Sequence, residues 1–122
     1  RAGGGGAPGL HRVLCYGDSL TAGFCAHGKV FEPYGQALIE ALAASVGTEC
    51  EALVCGHSGH LASEMVTNLD SSKVSDVASR TGKGLRRILR EEQPPELALI
   101  MAGTNDLGKS RRPEDIFQDI CR

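Results

Sequence analysis

Apolar residues along this chain follow two rhythms. Val13-Leu14-Cys15 and Leu97-Ala98-Leu99-Ile100 are short continuous runs bounded by polar or turn residues. They predict strands at 11–16 and 96–102. Residues 49–55 alternate and then turn apolar, which predicts a further strand. Elsewhere the period is helical. Tyr34, Ala37, Leu38, Ala41, Leu42 and Ser45 recur at that spacing after Pro33, and Gly47 supplies a stop. Leu61, Met65 and Leu69 mark a short helix. Leu85, Ile88 and Leu89 mark another, with Arg86, Arg87 and Arg90 on its wet side and Pro94-Pro95 beyond its end. Pro113 opens a last helix carrying Ile116, Phe117 and Ile120. Residues 17–32 read as a long irregular segment, 56–59 as a turn, and 71–84 as a polar loop with at most one helical turn.

The order is strand, helix, strand, helix, helix, strand, helix. Such alternation implies an α/β layered fold around a parallel sheet. The run at 96–102 is apolar on both faces, as suits a central parallel strand. A chain of 122 residues is enough for one domain with a modest core. Residues 1–9 are Gly-rich, a composition unsuited to burying apolar surface, so a flexible tail is expected there and the domain at 10–122. A phosphate-cradling loop would need a preceding strand and a Gly-Lys-Ser/Thr ending, and the glycine run has neither.

Charge narrows the function. Thirteen basic against fifteen acidic side chains leave the net charge near zero. A binder of nucleic-acid backbone would show a basic face instead. Aromatics make up 4% of the chain, too few for a base-stacking platform. No apolar run approaches the roughly 18 residues of a membrane span. The five cysteines, Cys15, Cys25, Cys50, Cys55 and Cys121, show no disulfide framework. Buried free thiols are expected, and they lean towards a reducing compartment such as the cytoplasm, localisation being otherwise open. Cys50, Cys55, His57 and His60 lie within eleven residues but lack a Cys-x-x-Cys pair, so no metal is expected.

The chemistry sits at two strand ends. Gly17-Asp18-Ser19-Leu20 follows the first apolar run. A serine just past a strand, beside glycine, is the local setting of an exposed nucleophile. Gly103-Thr104-Asn105-Asp106 follows the last apolar run, and Ser58-Gly59 follows the strand between them. Three polar clusters after three strands suggest one site at the carboxyl edge of a parallel sheet.

In these three blocks and their order the chain resembles the SGNH (GDSL-type) serine hydrolases. The resemblance implies a flavodoxin-like three-layer α/β/α sandwich, a small-molecule ester substrate and no cofactor. It makes Ser19 the nucleophile and assigns the oxyanion hole to Ser19, Gly59 and Asn105. Asp18 is expected to orient the first turn and Asp106 to brace the third loop. The family draws its general base from an Asp-x-x-His block, and no aspartate in these 122 residues precedes a histidine by three. The resemblance therefore implies a C-terminally truncated, partial domain that hydrolyses esters very weakly by itself. A non-catalytic binder of esters or acylated ligands is the alternative. His57 and His60 flank Gly59 and are expected to be ordinary loop histidines. The oligomeric state is open, although an apolar third strand left at a sheet edge would invite self-association.

Overall fold

A computed structural model describes residues 11–122. The tail expected at 1–9 lies outside the described residues. The chain runs β1 (His11–Gly17), α1 (Ser19–Ala22), β2 (Phe24–Cys25), a 3₁₀ turn (Ala26–Gly28), β3 (Val30–Phe31), α2 (Gly35–Val46) and β4 (Cys50–Gly56). It continues through α3 (Ala62–Thr67), β5 (Val74–Ser75), β6 (Thr81–Gly82), α4 (Leu85–Glu91), β7 (Leu97–Met101), α5 (Thr104–Gly108) and α6 (Pro113–Ile120).

β4, β1 and β7 form the main sheet in that order, with β1 in the middle and both pairings parallel. Side chains alternate across β1. Leu14 and Tyr16 join Met65 of α3 and Ile88 of α4 in the buried core. On the other face, Gly35 at the start of α2 lies against Val54, Ala52 and the Cys15 thiol. The layers are thus α2, sheet, then α3 and α4: the α/β layering expected from the alternating pattern, in the three-layer α/β/α form that the resemblance implies. No helix among the described residues is long and apolar enough to cross a membrane.

Several local expectations change. The segment after β1 is not merely irregular: it holds the single-turn α1 and the antiparallel β2–β3 pair. Residues 71–84 contain no helical turn, and Val74–Ser75 pair antiparallel with Thr81–Gly82. In α2 the inward stripe is Leu38, Ile39, Leu42 and Ala43, while Ala37, Ala41 and Ser45 face water. Alanine occurs all round this helix, so its larger side chains set the stripe. Gly47 does end α2, in the left-handed conformation (φ 76°). All five cysteines are free, but Cys15 alone is fully buried and Cys121 is exposed.

Among the described residues β7 takes the edge position expected for the third strand, against what its composition suits. Its run Leu97–Met101 looks central, yet it lies at the sheet edge with Leu97 44% and Ile100 56% exposed. Phe117 and Ile120 of α6 are also open to solvent, and only Ile116 of its expected apolar set is buried.

Candidate active site

Strand register creates the site. Gly17, Gly56 and Met101 lie abreast at the ends of β1, β4 and β7. Two residues further on stand Ser19, Ser58 and Gly103. The three connections therefore leave the sheet side by side at its carboxyl edge, where α/β folds place their ligands.

The first connection is tight. A Cβ on Gly56 would stand 2.3 Å from the Ala22 amide nitrogen, so only glycine lets α1 settle onto the end of β4. Asp18 is fully buried and caps α1, its Oδ1 accepting from the Leu20 amide at 3.0 Å. That is the turn-orienting geometry. Ser19 occupies the first helical position and is half-buried. Its amide precedes the intrahelical hydrogen-bond ladder and has no helical acceptor.

The second connection carries Gly59 in the left-handed conformation (φ 80°). Its start is tied to the first connection by the His57 amide, which donates to the Gly17 carbonyl at 2.8 Å. Ser58 is buried and its amide donates to Asp76 Oδ2 at 2.8 Å. Asp76 Oδ1 in turn accepts from the amides of Ala78 and Arg80, each at 2.9 Å.

The third connection opens with Gly103 (φ 100°) and enters α5. Asn105 donates from Nδ2 to the His60 carbonyl at 3.0 Å, which joins the third connection to the second. An amide nitrogen carries two hydrogens, so one donor remains. Asp106 is fully buried. It accepts from the Ala62 amide at 2.9 Å and from Arg111 Nη1 at 2.6 Å. It thereby clamps the third loop to the start of α3 and to the segment before α6.

The two histidines are not ordinary loop residues. His57 is 1% and His60 6% exposed. Their rings stack with centroids 5.1 Å apart, and His57 meets Tyr16 edge-on at 5.7 Å. Burial first, then the neighbouring His60, holds His57 below its ordinary pKa, against the opposing pull of Asp76. Burial also raises the Cys55 thiol and pushes the Tyr16 phenol up to about 12. His57 Nε2 approaches Cys55 Sγ at 3.7 Å, and His60 Nε2 the Ser75 carbonyl at 3.3 Å. Among the described residues, neither ring hydrogen-bonds Ser19.

The expected residues Ser19, Gly59 and Asn105 thus sit on three adjoining connections, with Asp18 and Asp106 beneath them. Asp76 and Arg111 are the supports that sequence reading missed. The pairing of Asp76 spans 18 residues, which no local pattern marks.

No protein-family model matches the chain, and no curated protein matches it. Among solved structures its backbone is similar to AlinE4, described as an SGNH-hydrolase family esterase. The TM-score is 0.67 at 23% identity, over 94% of this chain and 51% of that one. Two mutants of esterase AlinE4 match alike, with a TM-score of 0.67 at 23% and 22% identity and the same coverage. The expected SGNH-type α/β fold is therefore the one found, and the chain spans about half the length of these neighbours.

Proposed function

We propose that this chain carries the nucleophile and the oxyanion-binding part of a serine hydrolase of carboxylic esters. One observation carries the reading: the register sets the Ser19, Gly59 and Asn105 connections side by side, and hydrogen bonds lace each to the next. In this reading the Ser19 hydroxyl attacks the ester carbonyl carbon. The developing oxyanion accepts hydrogen bonds from the Ser19 and Gly59 amides and from the free Asn105 amide hydrogen. Such aimed donors each supply a few kcal/mol of transition-state stabilisation. Collapse of the tetrahedral intermediate breaks the ester C–O bond and expels the alcohol, which takes up the proton that Ser19 gave up. Water then cleaves the acyl-enzyme to the carboxylic acid and free Ser19.

Proton transfer needs a base that these residues do not place beside Ser19. Both buried imidazoles face other partners. The 122 residues alone are accordingly expected to be nearly inert, since loss of a triad base costs on the order of a million-fold in turnover. The same observation favours a second reading, a pocket that binds acylated ligands without cleaving them.

The test uses the polypeptide made from the complete native reading frame. A fluorophosphonate probe and p-nitrophenyl acetate are applied to wild type and to Ser19→Ala. Labelling and hydrolysis that both vanish in Ser19→Ala support the hydrolase. Ester binding by calorimetry without Ser19-dependent turnover would move the assignment to the binding module.

A further inference from the structure

We propose that Asp76 is the positioning residue for the Gly59 oxyanion donor, acting through the amide of Val77. This rests on the ester-hydrolase reading. The argument starts from peptide planarity. The Ser58 carbonyl and the Gly59 N–H belong to one rigid plane and point in opposite directions. Whatever fixes the carbonyl therefore aims the N–H. The Val77 amide donates to the Ser58 carbonyl at 3.3 Å.

Val77 is presented by a turn that Asp76 builds. Asp76 is 9% exposed, and its carboxylate gathers the Ala78 and Arg80 amides on Oδ1 and the Ser58 amide on Oδ2. The Asp76 amide closes the base of the turn by donating to the Arg80 carbonyl at 2.9 Å. One carboxylate thus holds both the turn and the residue that the turn steers. The Val77 side chain adds a wall: its Cγ2 and Cγ1 stand 2.9 Å and 3.0 Å from where a Cβ of residue 59 would lie. His60 is tied to the same segment through the Ser75 carbonyl.

The Gly59 plane is therefore gripped from the β5–β6 connection in addition to its own turn, which the His60 amide closes on the His57 carbonyl at 3.3 Å. Asp76 touches no reacting atom. Its removal frees the Ser58–Gly59 plane to rotate, and the donor is lost from the transition state while ground-state binding is kept.

The experiment measures steady-state hydrolysis of p-nitrophenyl acetate by the full native polypeptide, with thermal unfolding measured beside it. Asp76→Ala is expected to lower kcat by about a hundredfold with KM nearly unchanged, in line with loss of one oxyanion donor. Asp76→Asn keeps one carbonyl acceptor and is expected to recover most of that loss, leaving kcat several-fold low. Asp70→Asn, which removes exposed ion pairs to Arg86 and Arg90, is expected to leave kcat unchanged. Wild-type kcat in Asp76→Ala, or a loss that merely follows the folded fraction, overturns the proposal alone. Should the alanine variant not fold, an Asp76→Asn enzyme with unaltered kcat overturns it. A wild type without Ser19-dependent turnover overturns the hydrolase reading and this proposal with it.

Discussion

The carboxyl edge of the sheet and its β7 flank invert the usual rule of burial. At the carboxyl edge the buried residues are polar: Asp18 and Asp106 are fully buried, and His57 and Ser58 are 1% exposed. On the flank the exposed residues are apolar, with Leu97, Ile100, Met101, Phe117 and Ile120 all open to water. Buried polar groups and exposed apolar patches are the informative exceptions in a fold. The first region holds costly groups that are only partly satisfied: Asp106 has both oxygens partnered, whereas Asp18 Oδ2, His57 Nδ1 and Ser58 Oγ have no hydrogen-bond partner among the described residues. The second holds ordinary core material without a lid. The contrast teaches that the polar carboxyl edge is tied together by hydrogen bonds among the described residues, whereas the apolar flank is left open among them.

The sharpest way to break the first region is Asp106→Ala. It strands the Ala62 amide and removes one of the two carboxylates that face Arg111, Asp119 remaining at 2.9 Å. A loss of roughly 2 kcal/mol is expected in denaturant unfolding, because a buried amide is left without its acceptor and a charge-assisted hydrogen bond is lost. A change below about 1 kcal/mol would mean that the clamp is ornamental. Gly59→Ala comes next. A side chain at φ 80° costs about 1–2 kcal/mol, and its Cβ would press on Val77 Cγ2 at 2.9 Å. The expected result is a destabilised chain, checked by its urea midpoint.

Acid probes the same region without a mutation. The folded chain holds His57 below its ordinary 6.5, chiefly by burial. The unfolded chain therefore binds a proton first as pH falls. Stability is full above about 6.5 and is lost as pH drops from there through the depressed folded value. The urea midpoint of wild type should fall in that window, and His57→Gln should flatten the slope. Equal slopes in the two proteins would show that the neutral buried ring is not what acid attacks.

How far the sequence announces this molecule depends on the range of the interactions. Strand runs, the Gly47 stop and the Ser19, Gly59 and Asn105 positions are legible because each rests on a few adjacent residues. The one-turn α1 was not, since four residues carry no periodicity. The β5–β6 pair was not, since two-residue strands show no alternation. Asp76 looked like one more polar loop residue because its main partner, Ser58, lies 18 positions away. The run of β7 advertised a central strand because composition records what a segment suits. Among the described residues it has a neighbour on one side only.

That last point yields the gentlest test, on the second region. Ile100 lies abreast of Tyr16 and shares with it an apolar groove of about 430 Å³, bordered by Met65, Leu89 and Ile120. An edge strand with apolar side chains offers unpaired backbone and a sticky face together. The 122-residue chain should therefore self-associate as its concentration rises. Ile100→Glu places a charge on that face without emptying the core, since Ile100 is already 56% exposed. Its effect on unfolding should stay within about 0.5 kcal/mol. Its effect on sedimentation should be a shift towards monomer. If wild type sediments as a monomer at every concentration and melts in one cooperative transition, the flank needs no lid, and the contrast between the two regions loses its energetic meaning.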